Sequence, residues 1–87
     1  MSAQRFNARV FVSLKPTVND PQGITIGSAL TSLGFAGVDG VRSGKYFQIG
    51  LTAEDSDSAS RQVDQMCARL LANPVIETYS FEVSPAE

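Results

Sequence analysis

Phe6-Asn7-Ala8-Arg9-Val10-Phe11-Val12-Ser13-Leu14 decides the fold class. Every even position in it is apolar, and every odd position except Phe11 is polar. Strict alternation is the mark of a strand with one face against a core and one face toward solvent. Lys15-Pro16 ends the ladder, because a proline has no N–H to donate to it. The strand needs neighbours, and its apolar face needs a cover. The rest of the sequence must supply both.

Asp20-Pro21 has the form of a helix start, with an acceptor side chain at the cap and a proline whose φ is already helical. Ile26, Ala29, Leu30 and Leu33 then recur at helical spacing, and Gly34 suits the residue after the helix. Asp39-Gly40 signals a turn. Beyond it Val41, Phe47, Ile49 and Leu51 share one parity, with Gly44 among them. Gly44 fits either a bulge in one strand or the tip of a hairpin. The favoured reading is a short strand, a turn near Ser43-Gly44 and a longer strand Lys45–Ala53. Glu54, Asp55, Ser56 and Asp57 offer caps and negative charge for a second helix. Its stripe is Ala59, Val63, Met66, Cys67 and Leu70, and Asn73-Pro74 stops it. A last strand follows from Val75 to about Val83, with Tyr79, Phe81 and Val83 on one side. Residues Ser84–Glu87 are expected to fray.

The order is β-α-β-(β)-α-β. It predicts an α+β two-layer sandwich, ferredoxin-like in outline: a mostly antiparallel sheet with two helices on one face. Residues 1–87 make a single domain, without repeat or linker.

Composition narrows the chemistry. Among 87 residues there is no His and one Cys. That removes Ser-His and Cys-His nucleophile pairs, an imidazole base and histidine metal ligands. One thiol makes no internal disulfide and suits a reducing cytoplasm. A formal net charge of -2 lacks the basic stripe that nucleic-acid binding requires. Met1–Arg9 has no apolar signal core, and no run approaches the ~18 apolar residues of a membrane span. The expectation is a chain of the cytoplasm with neither nucleic acid nor membrane as partner.

The remaining motifs fail as sites. Gly40 to Lys45 has three residues, not four, between its glycines, lacks the Ser/Thr of a phosphate loop and runs into a strand. Counted from Asp55 as a calcium loop, position six is Ser60 and position twelve is Met66, where Gly and Glu are needed. Cys67 lies mid-stripe, as core filling rather than a nucleophile. Asp39, Asp64, Glu77 and Glu82 are placed on outward faces as solvated carboxylates. No catalytic, cofactor or metal residue follows. The informative residues are misplaced apolar ones: Phe11 and Tyr46 fall on the sheet face away from the helices, and Ile24 lies off its helix stripe. Such groups suit a protein–protein surface.

Four segments carry a resemblance to a known family: Val10-Phe11-Val12-Ser13-Leu14-Lys15, Asp20-Pro21-Gln22-Gly23, Val41-Arg42-Ser43-Gly44-Lys45-Tyr46, and Met66 through Glu77. In that order and at this length the chain resembles the PurS family, small subunits of phosphoribosylformylglycinamidine synthase. Asn19, where the family often has an apolar residue, is a small departure. The resemblance implies a non-catalytic subunit that binds no cofactor itself. It implies a homodimer or homotetramer bridging a large PurL-type synthetase, which uses ATP and Mg²⁺, and a PurQ-type glutaminase. It implies help in passing ammonia to formylglycinamide ribonucleotide. It also implies Arg42, Gly44, Lys45 and Tyr46 as candidate interface residues that touch a partner or the second protomer, and Gln22-Gly23 as offering exposed N–H groups to an anion or a partner's carboxylate. The competing expectation, resting on fold analogy, is an oligomeric regulatory module that binds a small metabolite.

Overall fold

The structure is a computed structural model, and it describes residues 3–86. Its elements are β1 (Gln4–Leu14), α1 (Pro21–Ser32), β2 (Gly44–Ala53), α2 (Ser56–Met66) and β3 (Glu77–Pro85), with a π-helical turn over Cys67–Leu71 after α2. The class is the expected one: two helices and an antiparallel sheet, in the order β2-β1-β3. The alternating segment is the central strand. It pairs with β2 on one side (Val10 opposite Phe47) and with β3 on the other (Val10 opposite Phe81).

The alternation works as predicted. Phe6, Ala8, Val10 and Val12 are all buried; Val63 and Cys67 from the α2 side lie against the last three, and Phe6 packs with Ala53 and Ala59. Phe47, Ile49, Leu51, Tyr79, Phe81 and Val83 flank this core but stay half-buried. Burying a Val or Leu side chain fully is worth about 1.5–3 kcal/mol. The flanking residues collect only part of that.

Four features depart from expectation. The short strand before Gly44 does not form: residues 38–43 run extended into β2 without pairing, and the chain does not turn at Ser43-Gly44. Of the two helices, only α2 packs on the sheet. Helix α1 projects beyond it, with Gly23 its sole buried residue. The stripe of α2 also breaks where the helix widens. Ala72 donates to the Cys67 carbonyl at 3.0 Å, a five-residue step that shifts the helical phase. Leu70 is thereby left 83% exposed, and Leu71 packs against the core in its place. Finally, Ser84 and Pro85 belong to β3, and Ala86 donates to the Arg5 carbonyl at 2.8 Å. Of the predicted frayed tail, only Glu87 lies outside the described residues.

The projection makes the chain long. Its radius of gyration is 17.0 Å and its extents are 57 × 29 × 14 Å, where a compact chain of this length has a radius near 12 Å. Its accessible surface of 6197 Å² exceeds the roughly 5,000 Å² of a compact monomer of this mass.

Candidate functional site

The signature residues gather at an elbow where β1 hands over to α1 and the extended run enters β2. Its centre is Asp20, only 3% exposed. The Asp20 carboxylate accepts from the Gly23 N–H at 2.9 Å, the Ser43 N–H at 2.7 Å and the Ser43 hydroxyl at 3.1 Å. Those bonds favour the charged form, the Ser43 N–H most and the Gly23 N–H next, and hold its pKa below the ordinary value. One carboxylate thus caps α1 and ties down the run 23 residues further along the chain.

Arg42 completes the elbow. Its Nη2 donates to the Lys15 and Val18 carbonyls, both at 3.0 Å. Gln22 accepts from the Ser43 hydroxyl at 3.4 Å. The two glycines are sterically required. A Cβ at Gly23 would lie far inside contact distance of the Val41 carbonyl oxygen, and one at Gly44 would sit 2.5 Å from the Val12 carbonyl oxygen. Of the groups expected to meet an anion or partner, the Gly23 N–H is already taken by Asp20. Gln22, Gly23, Arg42 and Gly44 brace the chain internally.

Lys45 lies on the same sheet face as the core, opposite the buried Val12. Its Nζ is 3.4 Å from Glu77 Oε2, diagonally across β1, where Lys45 pairs with Val12 and Glu77 with Leu14. Glu77 was expected to point outward, but it shares the parity of Tyr79 and its side chain is 11% exposed. It accepts from the Asn73 N–H at 2.6 Å, which is the main cause of its lowered pKa, with Lys45 adding to it. In the same row of the sheet, Tyr79, which also pairs with Val12, donates to Asp64 of α2 at 2.6 Å, which pushes the phenol pKa up. Cys67 is fully buried, and burial is the main cause of its raised pKa. It is core filling, as the stripe implied. Asp55 caps α2 through the Ser58 N–H at 2.8 Å.

Phe11 and Tyr46 lie where the alternation placed them, on the open face. They are direct cross-strand partners, with ring centroids 5.2 Å apart. The remainder of that face is polar, with Arg9 bonded to Glu82 at 3.2 Å and to Ser84 at 3.3 Å. Ile24 is 58% exposed on α1. The expected site residues therefore divide into an internal elbow, a strut at Lys45 and separate exposed apolar groups. Sequence reasoning read Asp20 only as a cap and passed over Ser43, because their contact bridges distant segments. Nothing in local spacing signals it.

The comparisons with known proteins agree with this arrangement. The profile of the PurS family, described as phosphoribosylformylglycinamidine (FGAM) synthase, matches residues 7–85. This chain belongs to the PurS family. It is 48% identical over 82 residues to phosphoribosylformylglycinamidine synthase subunit PurS of Synechocystis, covering 94% of this chain and 82% of that one. It is 44% identical to the Bacillus subtilis PurS subunit, covering 90% and 92%. Among solved structures it superposes on Methanocaldococcus jannaschii PurS with a TM-score of 0.84 at 39% identity, covering 94% and 99%. A chain from the structure of PurLQS from Thermotoga maritima superposes with a TM-score of 0.82 at 33% identity, covering 94% and 98%. As a PurS chain it is a non-catalytic subunit of FGAM synthase, a ligase complex of purine biosynthesis.

Proposed function

We propose that this chain self-associates and, in that form, bridges a PurL-type synthetase and a PurQ-type glutaminase, assisting transfer of ammonia between them. The likeness to a chain of the Thermotoga PurLQS structure carries this reading. The chain's own surfaces support it. Phe11, Tyr46 and Ile24 remain exposed, the helix α1 has no cover, and no nucleophile pair or imidazole is available for chemistry. ATP and Mg²⁺ are then used by the synthetase and glutamine by the glutaminase, all in the cytoplasm, with residues 1–87 acting as one domain.

Reconstitution tests it. The synthetase and glutaminase of the same cell are mixed with glutamine, ATP, Mg²⁺ and formylglycinamide ribonucleotide, with and without this chain. Omission should lower glutamine-dependent turnover at least about tenfold. Unchanged turnover on omission rules the bridging role out.

A further inference from the structure

The outer face of α2 takes no part in packing the core. Arg61, Gln62, Gln65, Met66, Arg69 and Leu70 line an open trough of about 490 Å³ along it. Met66 and Leu70 make it apolar, together with the methylene stems of the two arginines. Leu70 is 83% exposed, more than any other large apolar group among the described residues. The helix abandons its regular phase to put it there. The five-residue step from Cys67 to Ala72 turns Leu71 to the core and Leu70 to the trough. Widened turns of this kind occur often at functional sites.

The charges of the trough are left open as well. Among the described residues neither Arg61 nor Arg69 forms an ion pair. Asp57, one turn before Arg61, does not close on it, and Asp64, three residues after, is held by Tyr79. Solvated helices favour Lys and Glu, which interfaces shed in favour of Arg and Met. The trough has Arg, Met and Leu and neither Lys nor Glu. Its charge also decides what can cover it. Arg61 and Arg69 lie two turns apart, about 12 Å at 1.5 Å per residue, too far to share one small anion. A second copy laid on α2 by a two-fold axis at Gln65 would set Arg61 of each copy against Arg69 of the other. Like charge on like charge opposes that pairing. The complement is a different chain, with carboxylates two helical turns apart and an apolar group between them.

We propose that this trough docks an acidic helix carried by one catalytic subunit of the complex. Two of its carboxylates meet Arg61 and Arg69, and an apolar side chain between them enters against Met66 and Leu70. The guanidinium groups are the recognition element, since a carboxylate can take two parallel N–H donors from each. Leu70 is the anchor that the π-helical turn presents. A bridging chain needs separate surfaces for its partners, and this one lies on the far side of α2 from the sheet, away from the Phe11–Tyr46 pair on the open face. The inference rests on the bridging reading and deepens it by naming one contact and its chemistry.

The test measures binding of the full chain to the purified synthetase and, separately, to the glutaminase, at low and at physiological salt. Arg61→Glu combined with Arg69→Glu should weaken binding to one of the two roughly 100-fold and leave the other within about twofold. Leu70→Ala should weaken the same equilibrium at least about tenfold. The parent's affinity for that subunit should fall as salt rises, and the double variant's should not. Arg5→Glu makes the same reversal at an exposed arginine outside the trough, and it should bind as the parent does. Parent-like binding of the α2 variants to both subunits overturns the proposal, and so does an equal loss in Arg5→Glu. A changed oligomeric state of the α2 variants in sedimentation would place a second copy on the trough, which also overturns it. If the parent binds neither subunit, the bridging role fails and the docking site with it. Parent binding that the α2 variants leave intact removes the docking site alone.

Discussion

Gly23 and Gly44 are glycines for the same steric reason at two ends of the elbow. Each passes so close to a backbone carbonyl that a methyl group has nowhere to go. Backbone cannot yield as a flexible side chain can, so Gly23→Ala and Gly44→Ala should each destabilise by about 1–3 kcal/mol, the usual range for overpacking. Gly50→Ala is the control: its Cβ would meet nothing within 4 Å, and the change should be neutral or slightly stabilising. Denaturant titration of the three variants checks this. Asp20 adds a pH dependence at the same place. Its folded pKa lies below the ordinary value, so its contribution is fully present above that value, near 3.8, and fades as the pH falls through the folded pKa. Melts from pH 7 down to pH 3 should therefore show Asp20→Asn losing less of its Tm on acidification than the parent, from a lower start. A parallel pair of curves would remove Asp20 as a charged brace.

At the scale of elements, legibility followed sequence distance. The alternation of Phe6–Leu14 specified the central strand and both its faces, because period two is a local property. Helix caps at Asp20 and Asp55 were equally local, and both hold. The stripe of α1 was readable, but its exposure was not, since a stripe states that a face is apolar and not that the chain's own core covers it. Gly44 was misread as a reversal. Its signal is real, but its cause is close approach to Val12, a contact 32 positions away in sequence. The π-helical turn was invisible for another reason: a wheel drawn at 100° per residue assumes the period that Cys67–Leu71 abandons. That turn makes its own prediction. Leu70→Ala should change monomer stability by less than about 0.5 kcal/mol, while Leu71→Ala should cost about 1–2 kcal/mol, less than a fully buried leucine. A helix of regular phase predicts the reverse ranking, and chemical denaturation decides between them.

At the scale of the molecule, the chain is a well-packed sheet and helix joined to an arm that its own core does not use. A small domain gains its last stability from association when its core is thin. Here the sheet, α2 and the Lys45–Glu77 strut form the part that stands alone. The elbow sets the direction of the part that does not. The chain enters FGAM synthase as a non-catalytic subunit, and its sequence has no His and one Cys, which is buried. Scattering in solution should report assemblies at multiples of 9.3 kDa rather than a single extended chain of radius 17.0 Å.

Hydrogen exchange at the amides of α1 tests most directly that another chain completes this one. The helix makes little contact with its own sheet, so any protection beyond that of an isolated short helix must come from outside. The account predicts slow exchange across Gly27–Leu33 at micromolar concentration and above, becoming fast when dilution separates the copies, while β1 amides remain slow throughout. Fast exchange of α1 at every concentration, and still fast in the presence of the synthetase and glutaminase, would contradict it.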